Sequence, residues 1–216
     1  MFSTTSDAVK ALLSGWADFF WIVLGSVFFS ILASNIAVQT IESSSLTAEQ
    51  SEVLLFAVSV GAAASYFFLF VFFCPLSSFV SQSRSQSYRA ALAVAILLIA
   101  AKWTLNRVFD ENDHFSLLRE NTLVVVLVCL VIPIVEEAFF RGLAWSKFLE
   151  RSISELGALF STSILFVLAH LPVDLNSLIQ LSAMSLALGL MRYLSGSIWI
   201  GVLAHSIMNI VVFFEL

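Results

Sequence analysis

The sequence predicts an all-α fold: a polytopic transmembrane helix bundle of about seven helices, within a range of roughly six to eight, with a polar site inside the membrane. Of the 216 residues, 60% are hydrophobic and 12% are charged, whereas a soluble domain carries about 25% charged residues. The apolar residues fall into stretches close to the length of about 20 residues that crosses a bilayer. Several of the few ionisable residues lie inside these stretches, where they are costly and usually mark a functional site.

The membrane spans follow from the apolar stretches in chain order. They are predicted to run from Trp16 to Val38, Val53 to Val80, Tyr88 to Leu105, Asn121 to Trp145, Leu156 to Leu171, Leu175 to Tyr193 and Ser197 to Phe214. The first is a helix rather than a signal peptide, because it lacks a clear small-x-small cleavage site. Pro75 and Pro133 can kink the second and fourth spans, and the short fifth can tilt or be partly re-entrant. No polar stretch is long enough to bury a core, so we expect residues 1–216 to form one transmembrane domain.

Loop charges predict the orientation and limit the partners. The segment Gln39 to Glu52 has three acidic residues and neither Lys nor Arg, whereas Ser81 to Arg89 has two Arg and no acid. Because cytoplasmic loops carry the excess of Lys and Arg, we expect a cytoplasmic N-terminus. The expected location is the plasma membrane, in contact with membrane lipids. The ten basic residues form no stripe with interleaved aromatics, so no nucleic-acid partner is expected.

The fourth span contains three charged residues, Glu136, Glu137 and Arg141, within an apolar run that begins at Leu123. On a helix, Glu137 and Arg141 are four residues apart in the favourable order for an ion pair. Glu136 is rotated from Glu137 by about 100° and need not join that pair. One carboxylate is therefore neutralised by Arg141, and Glu136 is left available as a general base.

Two histidines lie in other apolar spans at a similar depth. A rise of about 1.5 Å per residue from the predicted cytoplasmic boundaries puts Glu136 at about 16 Å, His170 at about 21 Å and His205 at about 14 Å. His170 can then share a water with Glu136. His205 and Asn209, four residues apart on one face, offer two donors to a developing oxyanion, although polar contacts between helices are a rival interpretation.

Three short motifs, each in an apolar helix, occur in the order that is typical of one family: Glu136-Glu137-x-x-x-Arg141, Phe166-x-x-x-His170 and His205-x-x-x-Asn209. The chain thereby resembles the CPBP family of intramembrane proteases, also called the CAAX protease and bacteriocin-processing family or the Abi family. The resemblance is confined to residues 123–214. The residues alone indicate a membrane protein with a polar site, and the resemblance adds that the protein is a peptidase.

The resemblance implies a metal-independent intramembrane glutamic endopeptidase that needs no cofactor. Glu136 and His170 would activate a water for attack on a peptide carbonyl, and His205 with Asn209 would form the oxyanion hole. The expected substrate is a peptide or protein that is delivered through the membrane.

The resemblance also implies three site-supporting residues. Glu137 and Arg141 would orient the site, and Phe166 is the first residue of the second motif.

Other functions are compatible with the same residues. Two histidines, a Glu and a water also make a catalytic zinc site, although no His-Glu-x-x-His helix occurs. A transporter can use Glu136 and the histidines as a proton relay, and a non-catalytic scaffold or immunity protein needs no turnover. Replacing Glu136 by Gln discriminates among these classes, because only a scaffold tolerates the change.

Several conspicuous residues are expected outside the site. His114 lies in a polar loop among acids, and Asp174 is expected to cap the helix that begins at Leu175. Trp145 lies near a predicted membrane interface, where aromatic residues commonly face lipid. Cys74 and Cys129 lack metal-type spacing and are interpreted as small apolar residues.

Overall fold

The structure is a computed structural model and describes residues 5–72, 88–109, 121–172 and 174–214. Seven helices occupy these residues: α1 Thr5–Glu42, α2 Ala48–Phe72, α3 Tyr88–Phe109, α4 Thr122–Glu150, α5 Glu155–His170, α6 Leu175–Ser195 and α7 Trp199–Phe213. The described residues contain no strand, so the predicted all-α bundle is confirmed. The end of the second predicted span, with Cys74 and Pro75, lies outside the described residues, as does His114.

Three of the described helices are long and apolar enough to cross a membrane by length and composition: Val9–Glu42 within α1, α4 and α6. Three shorter apolar helices accompany them: Tyr88–Ala101 within α3, α5 and α7. The shorter helices have the composition of membrane helices and pack against the long ones.

Small polar residues join α1 to α2. The Ser30 hydroxyl donates to the Ser59 carbonyl over 2.8 Å, and the Ser34 and Ser59 hydroxyls are 2.6 Å apart. Small residues and hydroxyl contacts are the usual means by which membrane helices approach closely. Trp16 extends this pair toward the rest of the bundle, because its indole N–H donates to the Ser161 hydroxyl on α5 over 3.3 Å.

Helices α1, α4 and α5 supply the buried residues of the apolar core around Phe139. Helix α5 packs on α6, while α4 contacts α5 and α7, and α3 covers α6 and α7. Phe139, Phe140, Phe148 and Phe166 are fully buried in that core. Gly189 permits the close approach of α6 to α5, since a Cβ there would lie 3.2 Å from the Ser163 hydroxyl. The packing thus brings the three motif-bearing helices α4, α5 and α7 together.

Local sequence explains where α5 and α6 begin and end. The Ser154 hydroxyl accepts from the Gly157 N–H at the start of α5, and Asp174 accepts from the Ser177 N–H at the start of α6. The predicted cap at Asp174 is therefore present. Hydrogen bonds from the Ser177 hydroxyl and N–H hold the pKa of Asp174 below its usual range. Helix α6 ends at Gly196, whose φ of 70° is favourable for glycine.

Trp145 does not face lipid, and the prediction of an interfacial role for it is wrong. Its side chain is 3% exposed and packs into the core beside Phe148. The Arg192 guanidinium from α6 lies 6.0 Å from the indole ring centroid. The aromatic ring therefore stabilises a buried cation by a cation–π contact instead of anchoring the helix at the interface.

Candidate active site

Helix α4 carries Glu136 and Glu137 between two π-helical segments. These segments are Leu127–Val131 and Ala138–Ala144, and the six residues between them form ordinary α-helix. A π segment inserts one extra residue into a helix and is frequently found at functional sites. The two carboxylates therefore lie on a part of α4 whose register differs from that of a regular helix.

The Glu137–Arg141 ion pair is fully buried. Their side chains are 0% exposed, with 3.0 Å between Glu137 Oε1 and Arg141 Nη1. A buried pair is stable only when further hydrogen bonds satisfy the remaining donors. Arg141 Nη2 donates to the carbonyl and hydroxyl oxygens of Ser185 on α6, over 2.9 and 2.8 Å. Ser185 and Ser163 exchange two further bonds of 3.2 Å, which ties α5 and α6 to the pair.

The Phe166 ring packs against three of the polar residues of the site. Its ring is fully buried and lies 4.7 Å from the Arg141 guanidinium carbon. It stacks on the imidazole of His170 with 4.2 Å between centroids and meets the His205 ring edgewise at 5.9 Å. One side chain therefore contacts the cation and both histidines, which limits the rotamers that each of them can adopt.

His170 has a defined tautomer when it is neutral. Its Nδ1 lies 2.8 Å from the carbonyl oxygen of Phe166. Because a carbonyl only accepts hydrogen bonds, Nδ1 must carry the proton, and the Nε2 lone pair remains. Nε2 faces Glu136 Oε1 at 3.8 Å. Neutral His170 therefore presents an acceptor lone pair, not a donor, on the side that faces Glu136.

His205 lies between the two carboxylates. Its Nδ1 is 3.3 Å from Glu137 Oε1 and its Nε2 is 3.7 Å from Glu136 Oε2. Glu137 Oε1 also accepts from Arg141, so the same oxygen connects the ion pair to the imidazole. Glu136 thus meets a histidine on either side, at distances beyond a direct hydrogen bond. Fractional exposure of the side chains rises across the site, from 3% for His205 to 14% for Glu136 and 30% for His170.

A cavity of about 480 Å³ is lined by all four residues expected to be catalytic: Glu136, His170, His205 and Asn209. The structure thus brings the three motifs together from three helices. Helix α6 also lines the cavity and contributes two polar residues, Ser177 and Gln180. Neither residue could be predicted as part of the site, because a Ser or Gln in an apolar helix has no distinguishing spacing.

Asn209 reaches α4 directly. Its side-chain Nδ2 donates to the main-chain carbonyl of Val128 over 2.9 Å. Val128 belongs to the first π segment of α4, the helix that also carries the two carboxylates. Asn209 is therefore adjacent to the cavity, as expected, and at least one of its amide hydrogens is engaged by protein.

Gly201 lets α7 approach the buried ion pair. A Cβ at this position would lie 3.0 Å from Glu137 Oε2, closer than nearly all real contacts of this kind. We expect Gly201→Ala to destabilise the protein by about 1–3 kcal/mol, because overpacking displaces a carboxylate held by Arg141 and His205. Thermal denaturation measures the change in the free energy of unfolding.

Gly61 on α2 is the matched control. No described atom lies within 4 Å of a Cβ built there. Gly61→Ala should leave stability unchanged or raise it by up to about 1 kcal/mol, since Ala is the better helix former. Equal stability losses in the two variants would show that the approach of α7 to Glu137 is not tight.

Among the described residues, no group of three or more His, Cys, Asp or Glu side chains could hold a metal ion. Cys129 on α4 is a buried free thiol, which agrees with its interpretation as a small apolar residue. The site described here therefore consists of two carboxylates, one guanidinium, two imidazoles and one amide.

The part of the chain that contains this site matches a known protein family. The family model described as type II CAAX prenyl endopeptidase Rce1-like matches residues 118–211, which contain every candidate site residue. No curated protein and no solved structure matches the chain. The family match supports a CAAX-type intramembrane protease, and with the apolar helices it indicates an integral membrane protein. Residues 118–211 are therefore similar to the Rce1-like family, which confirms the resemblance to the CPBP family indicated by the three motifs.

Proposed function

We propose that this chain is an intramembrane endopeptidase that hydrolyses a peptide bond of a membrane-delivered substrate with a water activated by Glu136 and His170. The observation that carries the proposal is the shared cavity, in which the Glu136 carboxylate lies 3.8 Å from His170 Nε2 and 3.7 Å from His205 Nε2. No cofactor is required for this chemistry.

The gap between Glu136 and His170 suits a bridging water. Both groups are acceptors, since the His170 Nδ1 proton is directed to the Phe166 carbonyl. A water about 2.8 Å from each would donate one hydrogen to the carboxylate and one to Nε2, and would keep a lone pair for attack. Glu136 and His170 therefore orient the water, and Glu136 also accepts its proton.

The reaction then proceeds in two steps. The water oxygen bonds to the peptide carbonyl carbon while its proton moves to Glu136, which acts as general base. The tetrahedral intermediate collapses when the carbon–nitrogen bond breaks, and Glu136 returns the proton to the leaving amine. The products are a carboxylic acid and an amine, and the enzyme recovers its initial protonation state.

His205 is proposed to stabilise the oxyanion. Its Nδ1 lies beside Glu137, an acceptor, so a proton on Nδ1 is retained by that contact. Nε2 can then donate to an oxyanion only when the ring carries both protons. Glu137 is held in place for this purpose by Arg141, and the ion pair thereby orients the imidazole without contacting the substrate.

The substrate class is suggested by the matching family, the type II CAAX prenyl endopeptidases. We propose a membrane-anchored peptide with a prenylated C-terminal cysteine motif as the first substrate to test. The predicted topology, with a cytoplasmic N-terminus in the plasma membrane, places cleavage near the cytoplasmic side. Substrate and membrane lipids are the proposed partners.

Cleavage of a farnesylated CAAX peptide by the purified protein in lipid vesicles tests the proposal, with mass spectrometry of both products. His170→Ala should lower the cleavage rate by about 10²–10⁴, because one of the two groups that orient the water is lost. His114→Ala is the control, since the sequence places this third histidine outside the site.

The result also separates the proposal from a zinc protease. We expect activity that persists in chelator and a protein without stoichiometric zinc. Activity that chelator abolishes and zinc restores would favour zinc held by the histidines and a Glu. Equal activity of His170→Ala and the wild type would contradict both mechanisms.

A further inference from the structure

Helix α4 has a main-chain carbonyl that its own helix cannot satisfy. In the first π segment, the N–H of Ile132 is directed to the Leu127 carbonyl, five residues back. The next residue in that pattern, Pro133, would serve Val128, but proline has no N–H. The Val128 carbonyl therefore lacks the donor that the next turn would normally supply.

Asn209 supplies the missing donor from another helix. Its Nδ2 lies 2.9 Å from the Val128 carbonyl oxygen. Inside an apolar bundle a main-chain carbonyl without a donor is unfavourable. The side chain of α7 thus completes the main-chain bonding of α4 at the point where Pro133 interrupts it.

We propose that Asn209 is a positioning residue, which holds the π segment of α4 through the Val128 carbonyl and thereby aims Glu136 into the cavity. The inference rests on the proposed function for the role of Glu136. It assigns to Asn209 a task other than donating to the oxyanion, and it makes Asn209 and Pro133 a functional pair.

The register of α4 explains why this bond matters for Glu136. One inserted residue rotates everything that follows in a helix by about 100° relative to what precedes it. Glu136 follows Pro133 by three residues, within one turn. On α7, His205 and Asn209 are one turn apart, and they contact α4 at Glu136 and at Val128. The two contacts together determine how the two helices face each other.

A double-mutant cycle between positions 209 and 133 tests the proposal. Pro133→Ala restores a main-chain N–H in α4, so the helix no longer depends on Asn209. We expect Asn209→Ala alone to lower Tm by roughly 5 °C and the cleavage rate on the farnesylated peptide by about 100-fold. In the Pro133→Ala background, the same substitution should lower Tm by less than about 2 °C and the rate by less than about tenfold.

An oxyanion donor predicts a different result. If Asn209 acts directly on the substrate, Asn209→Ala lowers the rate by the same factor in both backgrounds, because Pro133 does not influence that contact. Equal rate losses in the two backgrounds would overturn the proposal, and so would equal Tm losses. Asn35→Ala is the control, since Asn35 Nδ2 also donates to a helix carbonyl, that of Ile31, but on exposed α1. Its effect should be the same with and without Pro133→Ala.

The cycle separates this inference from the proposed function. Tm is measured without substrate, so the coupling between Asn209 and Pro133 is tested even if no variant cleaves the peptide. Absence of cleavage by the wild type would count against the proposed function alone. Absence of Tm coupling would count against the positioning role, whatever the activity of the wild type.

Discussion

Replacing Glu136 by Gln should lower the rate of peptide cleavage by about 10²–10⁴ while the protein stays folded. The amide has nearly the shape of the carboxylate but cannot accept the proton of the attacking water. Glu136 lines the cavity and has no Arg or Lys partner on its own helix, since Arg141 pairs with Glu137. Cleavage kinetics on the farnesylated peptide, with Tm measured in parallel, distinguishes loss of chemistry from loss of fold.

Glu150→Gln is the control for this variant. Glu150 lies on the same helix, but its side chain is 59% exposed and pairs with Lys147 at the end of α4. We expect full activity from Glu150→Gln. Full activity from Glu136→Gln would remove the general base from the proposed mechanism, and a matching phenotype in cells would favour a scaffold or immunity protein.

Replacing Arg141 by Ala should destabilise the protein by about 3–5 kcal/mol, which corresponds to a loss of roughly 6–20 °C in Tm. The substitution leaves Glu137 buried without its cation, in a position where the side chain is 0% exposed. It also removes the two hydrogen bonds to Ser185 and the contact with the Phe166 ring. Thermal denaturation in detergent measures the effect.

The exposed pair on the same helix provides the comparison. Lys147 and Glu150 are 2.7 Å apart, with side chains 43% and 59% exposed. Lys147→Ala should cost less than about 1 kcal/mol, because solvent screens such a pair. Adding Glu137→Gln to Arg141→Ala should restore part of the lost stability, since the uncompensated charge is then gone. Similar losses from Arg141→Ala and Lys147→Ala would contradict the importance of burial.

The helical architecture was predictable because the hydrocarbon of a bilayer offers the backbone no hydrogen-bond partners. Long apolar stretches must satisfy their main-chain hydrogen bonds internally, and so form helices. The Glu137–Arg141 contact was predictable for the same reason: residues four apart on a helix are neighbours. The meeting of Glu136 with His170 and His205 depended on two other helices. Similar depth in the membrane was necessary for it but could not establish side-chain contact.

Other features of the site depend on tertiary packing and had no local signal. Ser185 binds Arg141 through its hydroxyl and carbonyl, but a serine in an apolar helix is too common to attract notice. Pro133 indicated a kink, whereas the structure contains a π segment whose carbonyl is satisfied by Asn209. Trp145 was misassigned because its burial depends on packing in a core shared with residues of other helices, such as Phe19 on α1.

The central claim is that Glu136 acts on a water and does not itself attack the peptide. Single-turnover cleavage in H₂¹⁸O, with excess enzyme over farnesylated peptide, tests this claim directly. If water attacks, the new carboxyl group of the peptide product contains one ¹⁸O atom, and the enzyme peptide that contains Glu136 contains none. Label in the Glu136 carboxylate and an unlabelled product would show that the glutamate is the nucleophile, and would contradict the mechanism.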